Sequence, residues 1–263
     1  MLGGNLAGRL TNPPFVGRSS VRRVAGTMDT KVGALKINAD LTLPATSIPA
    51  ELEWRSSPAK GVWRRMLDRD GDEVARCTTI VKFDSKTSFP AHTHDGGEEF
   101  LVLEGTFSDP LTGPCPRGFY VRNPIGSSHE PWTEADGTVI LVKLWQMTDP
   151  TEPHVFLDTQ KFYEEADKSQ PITRMQLFSN EKTKELVGME WWKPGVSRNL
   201  FEHFSGSKTG GVEGLLIGGD LEVQGKSYQD MWWFRFPSTE AAGGLEVSTK
   251  EGCQMWIKTG HLP

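Results

Sequence analysis

Four side chains that bind metals stand in a short span of this 263-residue chain: His92, His94, Glu98 and His129. Residues i and i+2 of a strand point to the same face, so His92 and His94 present their imidazoles to one side of a sheet. Glu98 opens the apolar run Glu98-Glu99-Phe100-Leu101-Val102-Leu103-Glu104-Gly105, the pattern of an adjoining strand. Asn123-Pro124-Ile125-Gly126 is a turn signal that reverses the chain and returns His129 towards the other three. Three imidazoles and a carboxylate accept one divalent transition metal, with Fe(II), Zn(II), Mn(II), Ni(II) and Co(II) all admissible. Four protein ligands fill a tetrahedral Zn(II) site, whereas an octahedral ion such as Fe(II) keeps two positions open for a bidentate small molecule and O2.

The elements that must hold these residues are short β-type runs: Val62 to Asp68, Val74 to Phe83, Glu98 to Glu104, Phe119 to Arg122 and Thr138 to Trp145. Asp70-Gly71-Asp72, Glu104-Gly105, the stretch from Pro110 to Gly118 and Asp136-Gly137 supply the turns between them. Evenly spaced short strands predict an all-β sandwich or barrel. The pattern then repeats. Arg65-Met66 is echoed by Arg174-Met175, Gly105 by Gly219, and the run from Gly137 to Lys143 by that from Gly252 to Lys258, the offset drifting from 109 to 115 residues. Between the copies, Thr148 to Gln170 reads as a connection with a short helix around Phe162 to Lys168.

The segment from His92 to Gly105, followed by Gly118, Pro124, Gly126 and His129, resembles the two signature motifs of the cupin superfamily. Two positions depart from it: Lys86 stands where a glycine is expected, and Thr133 where an asparagine is expected. From His92 to Met147 the chain is most similar to the ChrR-type cupins, named after a zinc-dependent anti-sigma factor. The residues before Glu51 contain no histidine or cysteine, so that factor's amino-terminal zinc module has no counterpart here. The resemblance implies two tandem cupin domains, each a double-stranded β-helix of jelly-roll type, with a metal inside the first. The expected organisation is an extension over 1–50, a metal-binding cupin over 51–147, a linker over 148–171 and a second lobe over 172–263. Laid on the second copy, the first motif puts His203 opposite His92, Ser205 opposite His94 and Val212 opposite Glu98, with no histidine opposite His129. That lobe is therefore expected to hold no metal. Its tryptophans, Trp191, Trp192, Trp232, Trp233 and Trp256, read as core or interface. His154, His203 and His261 read as structural or solvated.

Alternation places Phe83, Phe100, Val102, Tyr120 and Ile140 on the barrel lining. Arg122, with Tyr120 and Phe100, is the candidate for contacting a substrate, Arg122 through an anionic group. Surface charge is the competing reading for Arg122 and for Glu104. No nucleophile elbow, phosphate loop or dinucleotide fingerprint offers rival chemistry. The leading expectation is a metal-dependent dioxygenase of the Fe(II) kind acting on a small oxygen-rich substrate. The alternative is a non-enzymatic zinc-binding cupin, a sensor or interaction module. Enediolate isomerisation is a third reading, for which the sequence names no base.

The net charge of −5 is scattered and leaves no footprint for nucleic acid, so the expected partner is a small molecule. Cupins commonly pair through sheet edges, which makes a homodimer an expectation. Three widely spaced cysteines form neither a disulfide framework nor a CxxC motif and fit a reducing, intracellular compartment. No apolar run approaches the roughly 20 residues that span a bilayer. The first 28 residues carry Arg9, Arg18, Arg22 and Arg23 and no acidic residue, as organelle transit peptides do, while their glycines and prolines and Met28 allow a tail or a later start equally well.

Overall fold

The computed structural model describes residues 34–202, 211–238 and 244–263. The transit-peptide question and His203 lie outside them.

The described chain is built from two nine-stranded antiparallel sheets and a separate two-stranded sheet. Along the first large sheet run Lys36–Ile37, Val62–Asp70, Arg76–Phe83, Trp132–Leu144, Glu98–Asp109, Phe119–Asn123 and Val155–Asp158. The second runs Ile172–Asn180, Glu185–Trp192, Cys253–Thr259, Val212–Val223, Trp232–Phe236 and finally Ala45–Ser47. The five strands from Val62 and the five from Ile172 are thus arranged in the same order. The repeated sequence has become a repeated topology.

The repeat extends to close backbone approaches. Gly105 and Gly219 take φ of +70° and +85°, and a Cβ on either would collide with the carbonyl of Gly137 or Gly252 respectively. Only glycine fits where a left-handed backbone presses another chain segment.

Each sheet buries both faces, and the alternation of apolar side chains separates two cores. Phe100, Val102, Val121, Ile140 and Val142 belong to a cluster inside the first lobe. Leu101, Leu103, Tyr120 and Leu141 point the other way and pack with Met189, Leu215, Trp233 and Trp256, forming the core between the lobes. Inside the second lobe, Trp192, Leu216, Trp232, Phe234 and Met255 make a third cluster. All five tryptophans of the second copy thus sit in core, as expected.

Two segments expected to be peripheral are integral to the sheets. Lys36–Ile37 pairs with Val62–Asp70 in the first sheet, and Ala45–Ser47 pairs with Trp232–Phe236 in the second. The buried Arg235 guanidinium fixes this crossing, donating through Nη2 to the carbonyls of Asn38 and Asp40, both at 2.9 Å. Likewise Val155–Asp158, in the expected linker, extends the first sheet beside Phe119–Asn123. The helix begins earlier than predicted, at Thr159–Glu165, because Asp158 caps the amides of Gln160 and Lys161 at 3.0 Å.

Candidate metal centre

The two-stranded sheet consists of His92–His94 and Ser127–His129, with His129 directly opposite His92 and Ser127 opposite His94. Period-two alternation turns His92, His94 and His129 to one face, while Thr93 and Ser128 share a hydrogen bond of 2.8 Å on the other. The tight turn Asp95-Gly96-Gly97 then delivers Glu98 to the start of its long strand. Gly97, with φ of +73°, donates its amide to the His94 carbonyl at 3.1 Å, and Gly126 donates to the same oxygen at 2.9 Å. The bond from Gly126 ties the motif's halves together.

Three imidazole nitrogens converge, and Glu98 stands beside two of them. His129 Nε2 lies 2.9 Å from His94 Nε2 and 3.2 Å from His92 Nε2. Glu98 Oε2 lies 3.3 Å from His94 Nε2 and 3.7 Å from His129 Nε2. Ligand atoms about 2.1 Å from one ion stand about 3.0 Å apart at right angles and about 3.4 Å apart at the tetrahedral angle. The observed separations, from 2.9 to 3.7 Å, bracket that range.

The tautomers strengthen the match. His92 Nδ1 lies 3.0 Å from the Pro90 carbonyl, and His129 Nδ1 lies 2.6 Å from Asp109 Oδ2. Each acceptor places the proton on Nδ1 and leaves the Nε2 lone pair facing the centre. Lone pairs on His92 and His129 at 3.2 Å repel one another unless a cation stands between them. Burial, reinforced by the neighbouring His92, pulls the His94 pKa down to about 4, and burial also lowers that of His129 against the attraction of Glu98. Both imidazoles are therefore neutral near pH 7, the form that donates to a metal. Burial raises the Glu98 pKa, opposed by His129 and by Asn123, whose Nδ2 donates to Oε2 at 3.0 Å. A bound cation would favour the carboxylate.

The donors form part of a cavity of about 300 Å³ between the small sheet and the first large sheet. Phe83, Phe89, Phe107, Ile140 and Leu144 give it apolar walls, and Trp145, 44 % exposed, lies at its edge.

Of the expected contact residues, three lie elsewhere. Arg122 is fully buried on the opposite face of its strand, where Glu99 and Glu152 accept its hydrogen bonds. Tyr120 points the same way and donates to Glu99 at 3.2 Å. Phe100 packs inside the first lobe, its ring centroid 5.0 Å from that of Phe107, but does not line the cavity. Val102 shares its apolar cluster, and of the expected lining residues only Phe83 and Ile140 reach the cavity. Position on the strand decides the outcome: Val121 and Asn123 face inward, Tyr120 and Arg122 outward. Asp109 and Asn123, which orient His129 and Glu98, carry no spacing signal that links them to the histidines.

In the second lobe, Ser197–Asn199 pairs with Glu246–Ser248 as the histidine strands pair in the first. Topology therefore sets Ser197 and Asn199 opposite His92 and His94, and Ser248 opposite His129, while His203 and Ser205, the expected counterparts, lie outside the described residues. Val212 does stand at the place of Glu98: Val212 pairs with Thr259 and Phe236, Glu98 with Leu144 and Asn123. The described structural elements place the longer insertion between Asn199 and Val212, which displaces a sequence-only alignment. His154 stacks on Phe156, and His261 bonds Glu213 Oε2 at 2.8 Å.

Residues 44–148 match the family model of the ChrR cupin-like domain. Over those residues the chain is similar to the ChrR-like cupins. No curated protein matches the chain in sequence. Among solved structures, a candidate dioxygenase from Nostoc punctiforme is similar with a TM-score of 0.62 and 14 % identity, the match covering 82 % of each chain. A bacterial pirin from Escherichia coli in complex with nickel(II) aligns at 0.58 and 10 % identity over 84 % of this chain and 99 % of the other. A variant of salicylate 1,2-dioxygenase from Pseudoaminobacter salicylatoxidans aligns at 0.51 and 8 % identity over 88 % and 86 %. At these identities the likeness is one of fold, and the fold is that of the cupins. Among the described residues no helix is long and apolar enough to cross a membrane.

Proposed function

We propose that this protein is a metal-dependent oxygenase, with His92, His94, Glu98 and His129 holding one divalent transition metal beside a small organic substrate. The observation that carries this reading is the convergence of the three histidine nitrogens, with Glu98 Oε2 beside two of them, in a largely apolar cavity. Held by these residues, Fe(II) would supply a site at which an oxygen-rich substrate and O2 could meet. The chain's own residues supply the rest. Asp109 and the Pro90 carbonyl hold two imidazoles in the donating tautomer, Asn123 orients the carboxylate, and the phenylalanine walls restrict water around the reacting groups. Solved proteins of the same fold include the salicylate 1,2-dioxygenase and the nickel-bound pirin, which agrees with oxygen or metal chemistry here.

A second reading is a zinc-filled site without turnover, favoured by a donor set that by itself completes a tetrahedron. Metal analysis of protein purified without added metal or chelator, beside a His92→Ala, His94→Ala variant, separates the readings. Iron near one per chain, absent from the variant, together with oxygen uptake on dicarbonyl, phenolic or thiol substrates, supports the oxygenase. Stoichiometric zinc that iron does not displace, with no uptake, supports the second reading. Stoichiometric metal retained by the variant refutes both.

A further inference from the structure

Besides the four converging donors, the cavity wall carries one basic side chain, Arg64, and it is held in an unusual way. Its Nη1 and Nη2 donate to Glu73 at 3.1 and 3.3 Å, and Nη2 also reaches the Ser56 carbonyl at 3.4 Å. Its Nε is buried without an acceptor. The two partners differ in exposure: the Arg64 side chain is 15 % exposed and that of Glu73 is 62 %. An ion pair with one member so far into water contributes little, and Glu73 regains hydration when it leaves. Arg64 is the more buried partner, and without Glu73 the Ser56 carbonyl is the acceptor that remains to it.

We propose that the cavity takes a small, mainly apolar carboxylate, aryl or branched alkyl, whose carboxylate replaces that of Glu73 on Arg64. Its body lies against Phe83, Phe89, Ile140 and Leu144, in reach of the four-donor cluster. The cavity's roughly 300 Å³ corresponds to about ten waters' share of liquid volume, room for one ring or a short branched chain. Glu73 is then a built-in placeholder: it keeps Arg64 neutralised in the empty protein and yields to a ligand that also buries apolar surface. A carboxylate on a guanidinium makes charge-assisted bonds that a neutral isostere cannot copy, so the preference for an acid is a property of Arg64. The inference rests on the cavity being the reaction site, but the contact with Arg64 does not require the metal.

Benzoate and the neutral isostere benzamide are the probes, titrated calorimetrically into the full-length protein. Wild type is expected to bind benzoate at least tenfold more tightly than benzamide. Arg64→Gln should remove that ratio by weakening benzoate alone, and Glu73→Gln, a change at an exposed side chain, should strengthen benzoate severalfold. The ratio should survive in the His92→Ala, His94→Ala variant. If that variant loses it while Arg64→Gln keeps it, the carboxylate sits on the ion and the proposal is overturned. Equal binding of the two probes, binding of neither, or no gain in Glu73→Gln also overturns it. Wild type that keeps the ratio but takes up no metal, even when metal is supplied, sinks only the metal reading.

Discussion

Lys143 and Lys258 stand at equivalent places in the two halves of the chain, and each binds a glutamate of the other half. Lys143 Nζ donates to both carboxylate oxygens of Glu213 at 2.7 Å, and Lys258 Nζ donates to Glu99 at 2.6 Å. Within the sheets the neighbours are reversed: Lys143 lies opposite Glu99, and Lys258 opposite Glu213. Arg122 and Arg235 repeat the relationship, pairing in register with Glu99 and Glu213 respectively. Glu185 adds charge on one side only, its Oε1 lying 2.8 Å from Arg122 Nη1 and Lys258 Nζ in close ion pairs that lack hydrogen-bond alignment. A tandem duplication is thus locked together, because parting the lobes would break the buried ion pairs that Lys143 and Lys258 make across it.

Removing one member of such a pair leaves the other uncompensated. Lys143→Met leaves Glu213 with three neutral hydrogen-bond partners, Trp233 Nε1 at 3.0 Å, Thr78 Oγ1 at 3.4 Å and His261 at 2.8 Å, and no lysine to balance its charge. The expected loss, read from urea denaturation, is about 3–5 kcal/mol, the cost of a stranded buried charge. Adding Glu213→Leu should restore most of it, since a well-packed apolar pair can replace a buried ionic one. A single-variant loss below about 1 kcal/mol, the range of exposed pairs, would place the lysine outside the structural lock.

The same carboxylates set the response to acid. Burial raises the Glu185 pKa, but Lys258 and Arg122 outweigh it and hold the group at about 2, below its ordinary 4.5. Glu213 is likewise pulled well below its ordinary value by Lys143 and His261 against burial. A carboxylate with a depressed folded pKa stabilises fully above its unfolded pKa, and the gain is lost as pH falls towards the folded value. For Glu185 that window runs from about 4.5 down to about 2. Denaturation midpoints should fall steeply there, and Lys258→Met should flatten the fall. An unchanged slope in that variant would remove Glu185 as its source.

The histidine cluster is legible in the sequence because His92 and His94 share one short strand, where a spacing of two determines facing, and a turn signal precedes His129. It reveals the duplication because glycines at tight approaches, such as Gly105 and Gly219, have no substitute. It misplaces Arg122 and Tyr120 because their strand is buried on both faces, so polarity does not alternate and the direction of each side chain is unmarked. Asp109 is silent for another reason: its contact with His129 joins distant strand ends, and nothing local distinguishes it from a turn aspartate. Edge strands such as Ala45–Ser47 have too few residues to show a period.

Asp109→Asn tests the support of the metal site without touching a donor. The amide can no longer receive the His129 Nδ1 proton as a carboxylate does, so both tautomer and ring orientation loosen. Metal affinity, measured by competition with a chromogenic chelator, should fall by about 10–100-fold, the usual effect of removing such a partner. The protein should remain folded by circular dichroism. Unaltered affinity would show that His129 is oriented by its strand alone.

The double glycine before Glu98 makes the most local demand on the site. A Cβ on Gly96 would lie 2.7 Å from Trp145 Cα and 2.5 Å from its ring, while one on Gly97 would overlap the Met147 side chain. The Trp145–Met147 segment is itself constrained: Trp145 takes a φ of +58°, and amides of Trp145 and Met147 face the carbonyls of Gly97 and Gly96 at 3.4 Å. Neither side has room to yield, so Gly96→Ala should push the turn away from Trp145 and carry His94 and Glu98 out of register with His129. Overpacking of this kind costs about 1–3 kcal/mol, and here the strain falls on the donors. The expected result is a larger fractional loss of metal affinity than of urea stability. The reverse order would mean that the turn holds its shape and the covering segment moves.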